Sequence, residues 1–282
     1  VDDCGAQWLL CDDQRAVLLD ESLETQNRLI VYDRAVPGSL RGIDFREAVL
    51  DEPPSAVLIP EPSDRCLILY TSGSTGAPKG VVHCQQALSQ AVFNMMFTGM
   101  LTMTVEGGLR DLRGGATQEK ALLNVPLFHA TGLLGSFVLP LVTGQGIVMI
   151  SKWDAQEALR LIESERVTLF SSVPSLVKDL LTQPNLDEFD ITSLQRVSSG
   201  GAAMPSDLPG IIDAQIDQAY ASGGYGLTET LAVGSQAAGA VFDAKPTSAG
   251  VQSPIMHVRC TATDGTVLSD GEPGEIEMKG VA

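Results

Sequence analysis

The 282-residue sequence predicts an α/β fold: mostly parallel sheets flanked by helices, with the start of a small β-subdomain at the C-terminus. Two observations predict it. Between residues 121 and 222, short apolar runs of strand type alternate with longer segments of helical spacing, the pattern of repeated βα units. After about Ala244 the alternation gives way to short β-like pieces over residues 251–267 and 274–280, split by Asp264-Gly265, a hairpin signal. The expected organisation is an α/β core over residues 1–244 and the beginning of a small β-subdomain over 245–282.

The elements follow in order. Residues 7–11 form a short apolar run, and 15–25 have helical spacing. Residues 29–32 are β-rich, and 43–50 read as a helix. Residues 51–64 carry four prolines and read as a surface connector. The run 66–70 reads as a buried strand, and 81–83 as another. A largely buried helix is expected from about Gln86 to Met100, with Met95, Met96 and Met100 as core filler. The polar, Gly-rich stretch 104–120 reads as an exposed loop. Then come a strand at 121–125, a helix at 131–142 and a strand at 147–150. Residues 154–166 form an amphipathic helix capped by Asp154, followed by a strand at 167–173. Pro174 opens a helix to about Leu181. The last units are a strand at 194–198, a helix at 205–216 and a strand at 218–222.

Composition narrows the partners. Eighteen basic against thirty-five acidic residues give a net charge of −17, which repels nucleic-acid backbones and anionic membranes. A phosphate ligand would have to be attracted locally. The five cysteines are odd in number and contain no CxxC pair, which points to a reducing, cytoplasmic compartment and away from a disulfide framework or zinc site. The three histidines are scattered, so no metal cluster is visible. Residues 81–105 and 121–151 lack charged side chains, but polar residues in the first, and Pro126, Pro140 and a Gly-Gln-Gly turn in the second, favour buried elements over a membrane span.

The most informative stretch is residues 70–80, YTSGSTGAPKG. Its glycines let the backbone approach a ligand closely. Successive exposed N–H groups form an anion-holding concavity. Thr71, Ser72, Ser74 and Thr75 add hydroxyls, and Lys79 adds a point charge suited to phosphate. A polyphosphate fits this composition best. It is not a Walker A loop, because Pro78 precedes Lys79 and Gly80 follows it.

Three further clusters carry chemistry. SSGGAA at 198–203 follows a strand, and Gly200 and Gly201 allow a flat ligand to approach the backbone. GGYGLTET at 223–230 follows another strand. There Tyr225 can lie against a base, Thr228 can donate to a phosphate, and Glu229 offers a hard oxygen for Mg²⁺. VPLFHATG at 125–132 sets a lone histidine, His129, between a strand end and an apolar helix.

Taken together, these four segments in this order resemble the adenylate-forming superfamily of acyl-CoA synthetases, firefly luciferases and peptide-synthetase adenylation domains. The resemblance runs over nearly the whole chain. It implies that Thr71, Ser72, Gly73, Ser74, Thr75, Gly76 and Lys79 hold the β,γ-phosphates of ATP. It implies that Gly201, Ala202 and Tyr225, with flanking Gly224 and Gly226, surround adenine. Thr228 would contact the α-phosphate and Glu229 would bind Mg²⁺. His129 would gate a carboxylate pocket lined by Val173, Gly200 and the 131–142 helix. Lys79, Thr228, Glu229 and His129 are the residues expected to serve catalysis.

The implied activity is activation of a carboxylic acid by ATP to an acyl-adenylate, followed by thioester formation with coenzyme A. Transfer to a carrier-protein thiol, reaction with oxygen, or a non-catalytic nucleotide-binding role are the alternatives. Amino-acid adenylation domains carry an aspartate after the phenylalanine of the gate motif; here Phe128 is followed by His129, Ala130 and Thr131. A buried ammonium would lack a partner, so a fatty or aryl acid is expected. The resemblance further implies that a ribose-binding aspartate and a mobile lid domain with its lysine lie beyond this chain, which leads to the expectation of a fragment of the large N-terminal domain that does not turn over alone.

Overall fold

The computed structural model describes residues 2–16, 28–32, 42–45, 58–73, 76–105, 118–216 and 219–281. The chain divides into two units, Val1–Pro60 and Glu61–Ala282. In the first, strands β1 (Trp8–Asp12), β2 (Arg28–Tyr32) and β3 (Gly42–Asp44) form a parallel sheet in that order, with the short helix α1 (Asp13–Ala16) after β1. The helix expected from residue 43 is corrected at its start. Ile43 pairs with Ile30 and Asp44 with Val31, so the edge of β2 captures this segment as a strand. Residues 17–25 and 46–50 of the expected helices, and residues 51–57 of the connector, lie outside the described residues.

The second unit opens with an antiparallel pair, β4 (Arg65–Thr71) and β5 (Lys79–Cys84). These strands are half-buried rather than buried. Leu69 faces the core while Ile68 and Tyr70 are exposed, because a two-stranded ribbon covers only one face. Helix α2 (Gln85–Val105) follows directly. Its Ala87, Ala91 and Val92 pack inward with Met95 and Met96. Met100, expected in the core, is 65% exposed, as are Phe93 and Phe97 in large part, because only one stripe of a helix meets its neighbours. Residues 106–117 of the expected loop lie outside the described residues; Thr104 ends in α2 and Lys120 begins the next strand.

The main sheet has seven strands: β6 (Lys120–Leu123), β7 (Gly146–Met149), β8 (Leu169–Ser172), β9 (Arg196–Ser199), β10 (Tyr220–Tyr225), β11 (Ser235–Ala238) and β12 (Val251–Gln252). Their spatial order is β12-β11-β10-β9-β8-β6-β7. Strands β10, β9, β8, β6 and β7 are parallel, and β11 and β12 add antiparallel at one edge. The expected α/β class with a mostly parallel sheet is therefore observed. A separate hairpin of β13 (Met256–Thr261) and β14 (Glu275–Gly280) gives the small C-terminal antiparallel sheet.

Helices α3 (Thr131–Val138), wound as a π-helix, and α4 (Leu139–Thr143) run on from one another. Helix α5 (Ala155–Glu165) begins where the Asp154 carboxylate accepts the Glu157 N–H at 3.0 Å, and Arg166 closes it in a left-handed conformation. Helix α6 (Pro174–Leu181) starts on proline, whose fixed φ suits the first turn. Helices α7 (Leu208–Gln215) and α8 (Ala240–Ala244) complete the set. Phe170, Val197 and Ala221 of the sheet pack with Leu159, Ile162, Leu180 and Ile212 of α5, α6 and α7. Each fully buried Leu or Ile contributes about 1.5–3 kcal/mol. Among the described residues no helix is long and apolar enough to cross a membrane.

Candidate active site

The β4–β5 turn is the first component. Thr71 and Lys79 face each other as the last pair of the ladder, and residues 72–78 form the connection. Gly73 and Gly76 both have positive φ, +65° and +84°. The Gly76 N–H donates to Gly73 O at 3.3 Å. A Cβ on Gly73 would collide with the carbonyl oxygen of Ala77, so only glycine fits. Lys79 and Ser72 are exposed; Thr71 and Gly73 are half-buried. Ser74 and Thr75 lie outside the described residues.

The second component is built at the carboxyl ends of β8, β9 and β10, where ligands of open α/β sheets sit. The Gly200 N–H donates to Ser172 O at 3.1 Å, tying the turn after β9 to the end of β8. A Cβ on Gly201 would touch Val173 Cγ1 at 3.7 Å, and one on Gly200 would sit 3.9 Å from Gly224 O. The structure thus brings Val173, Gly200, Gly201 and Gly224 together. Ala202 follows on the exposed side, and Tyr225 ends β10 half-buried. After Gly226 the chain makes a tight turn. The Leu227 N–H donates to Thr230 Oγ1 at 3.0 Å, and Leu231 and Ala232 are both left-handed. Thr228 is half-buried within this turn, and Glu229 is exposed.

His83 joins the two components. Its Nε2–H donates to the Thr228 carbonyl at 3.0 Å, across 145 residues of sequence. A carbonyl only accepts, so this ring nitrogen carries the proton. His83 is 4% exposed. Burial pushes its imidazole below the ordinary value, with the Thr228 bond and the nearby Glu229 charge opposing. The neutral ring is thus the form that folding favours. Its contribution is complete above the unfolded value of 6.5 and is lost as pH falls through and below it. We expect the melting temperature to drop between pH 7 and pH 5, and His83→Gln to flatten that slope; parallel pH profiles for the two proteins would contradict it.

A cavity of about 250 Å³ opens beside the glycine turns. Of the expected residues, Gly200, Gly201, Gly224 and Gly226 line it, with Thr131 and Gly135 of α3 and Leu139 of α4. Val173, His129, Thr228, Glu229 and Lys79 do not. His129 is exposed in the turn before α3, its ring 4.7 Å from that of Phe128. Sequence reasoning missed the cavity's polar wall. Ser171, Ser198 and Ser222 line it from β8, β9 and β10, and Asn94 lines it from α2. Period two could have found the serines: Phe170, Val197 and Ala221 alternate with them and enter the core on the other face. Asn94 carried no signal within an uncharged helix.

Comparison with known proteins agrees with this architecture. Feruloyl-CoA synthase of Amycolatopsis sp is 35% identical over 236 residues, 83% of this chain and 44% of that protein. 4-Coumarate-CoA ligase 1 of Narcissus pseudonarcissus is 30% identical over 267 residues, 92% of this chain and 47% of that protein. The chain spans about half the length of the curated relatives it matches. Among solved structures, the anthranilate CoA ligase AuaEII, in complex with anthranoyl-AMP, superposes with a TM-score of 0.80 at 19% identity, covering 99% of this chain and 51% of that one. The luciferase-like enzyme of the nonluminescent mealworm Zophobas morio gives 0.78 at 20% identity, covering 98% and 62%. These two likenesses are of fold. The sequence itself matches the AMP-binding enzyme family over residues 1–282, so this chain, with its glycine turns at the ends of a mostly parallel sheet, belongs to that family.

Proposed function

We propose that the protein activates a carboxylic acid with ATP and transfers the acyl group to the thiol of coenzyme A. The observation that carries this reading is the His83–Thr228 bond, which holds the phosphate-type hairpin against the Thr228-Glu229 turn beside a glycine-lined cavity. The acid lies in the cavity, with a carboxylate oxygen directed to the α-phosphorus of ATP. That oxygen forms the new P–O bond as the bond to pyrophosphate breaks. No protein nucleophile is required. Alignment and neutralisation of anions suffice.

The residues take the following roles. Lys79 and the amides and hydroxyls of residues 71–76 hold the β,γ-phosphates. Gly201, Ala202 and Tyr225, with Gly224 and Gly226, receive adenine, and Thr228 contacts the α-phosphate. His129 and Val173 border the entrance to the acid pocket, of which Gly200 is a wall. Among the described residues no group of three or more His, Cys, Asp or Glu could hold a metal ion. A single exposed carboxylate, Glu229, fits Mg²⁺ brought in with the nucleotide, since that ion takes one or two carboxylates together with phosphates and water. Bound there, Mg²⁺ would neutralise developing phosphate charge. The small β-subdomain would begin with the β13–β14 hairpin, after β12 closes the edge of the main sheet.

An aryl acid is favoured over a fatty acid. The relatives are named for feruloyl and 4-coumarate substrates. Titration calorimetry with MgATP tests the nucleotide half. Lys79→Ala is expected to weaken binding by roughly ten- to a hundredfold, the worth of one charge-assisted contact, with an unchanged melting temperature because Lys79 is exposed. Unchanged affinity would remove the hairpin from the site.

A further inference from the structure

The register of the main sheet gives the cavity a charged far end. Leu169, Arg196 and Tyr220 lie side by side as the first residues of β8, β9 and β10. Two residues on, Ser171, Ser198 and Ser222 form the next rung. Side chains along a strand alternate between its two faces. Phe170, Val197 and Ala221 enter the core on one face, so both rungs lie on the other, and all of their residues line the cavity. Among the described residues, Arg196 is the charged side chain on that wall. It is 29% exposed, accessible rather than sealed in the packing. Its Nη2 donates to Glu119 Oε2 at 2.8 Å, and the same oxygen accepts from Gln145 Nε2 at 2.7 Å. Neither Glu119 nor Gln145 lines the cavity.

The group that would complete this end has a definite chemistry. A guanidinium carries several N–H donors and no acceptor. Among the described residues the Arg196 side chain has one partner, Glu119. The complementary group is therefore an acceptor, and a planar carboxylate matches the guanidinium fork best. The opposite end of the cavity is set by the glycine turns, where the reacting carboxylate would meet the nucleotide. From Arg196 to Gly200 the chain advances four residues, about 13 Å when extended. We infer that Arg196 is a specificity-determining residue that binds a second carboxylate at the distal end of the acid, so that the preferred substrate is an aromatic dicarboxylic acid. This rests on the reading of the cavity as the acid pocket. Glu119 shares the guanidinium from outside the cavity and competes with that carboxylate.

The test compares 3-(4-carboxyphenyl)propenoic acid with 3-phenylpropenoic acid, which lacks the second carboxylate, by acid-dependent pyrophosphate release from MgATP with the full-length protein. The wild type is expected to favour the diacid in kcat/KM by roughly tenfold or more. Arg196→Leu is expected to abolish or reverse that preference. Glu119→Gln removes the competing charge and is expected to raise it. Opposite effects separate recognition from a merely structural ion pair, whose two partners would act alike. If Arg196→Leu does not fold, the rise in Glu119→Gln decides alone. Equal use of both acids by the wild type, or a ratio that stays put or moves the same way in both variants, would overturn the role of Arg196 and leave the acid-pocket reading standing. Pyrophosphate release with neither acid would overturn both.

Discussion

In the full-length protein, Glu229→Gln is expected to lower acid-dependent pyrophosphate release by about a hundredfold or more while leaving the melting temperature within a degree or so of wild type. The first half follows from charge. Glutamine keeps the shape and one acceptor oxygen but loses the carboxylate's negative charge, and with it most of the attraction for a hard cation carried by the nucleotide. Removing one preorganised electrostatic contact to a reacting phosphate typically costs a factor of a hundred to a thousand. The second half follows from exposure: Glu229 is solvated, and surface substitutions away from packed contacts change stability by less than about 0.5 kcal/mol. Steady-state kinetics beside a thermal melt separates the two. A large fall in melting temperature with proportionate loss of activity would make Glu229 a structural residue instead.

Gly226→Ala should have the opposite signature, loss of both stability and activity. A Cβ at position 226 would overlap the backbone carbonyl of Ala232. That carbonyl cannot step aside cheaply, because Leu231 and Ala232 are already left-handed, with φ of 52° and 62°. Leu231 is also fully buried. The turn must therefore open, and it carries Thr228 and Glu229. A destabilisation of about 2–4 kcal/mol is expected, in the range for backbone overlap at a buried turn. Activity should fall further than the folded fraction does, since His83 loses its aligned acceptor at Thr228. A variant with wild-type melting temperature and kinetics would show that this turn does not position the site.

Much of this architecture is legible in the sequence, for reasons tied to particular residues. Strands such as β8 and β9 are recognisable because a sheet with helices against it needs apolar residues and β-formers in short runs. The amphipathic helix α5 declares itself by Asp154 at its start and by its apolar stripe. The glycine turns stand out because Gly201 adopts positive φ and Gly73, Gly224 and Gly226 admit no Cβ. Strand β11 escapes notice because Ser-Gln-Ala-Ala has little strand propensity; it forms because β10 offers an unpaired antiparallel edge. Residues 42–44 go the same way at the edge of β2. The exposed face of α2 is misread because an uncharged helix shows no polar side to the eye, although Met100 and Phe93 lie outside the packed stripe. His83 carries no local signal, because its role depends on Thr228, far away in the chain.

One measurement bears most directly on the central claim, that hairpin, glycine turns and Thr228-Glu229 turn receive a single nucleotide. It is a crystal structure of the full-length protein with a non-hydrolysable ATP analogue and Mg²⁺. We expect adenine between Gly201-Ala202 and Tyr225, the β,γ-phosphates within hydrogen-bonding reach of Lys79 and the Thr71–Gly76 amides, and the metal on Glu229. A nucleotide ordered elsewhere, or phosphates lying away from the hairpin while adenine fills the turns, would contradict it.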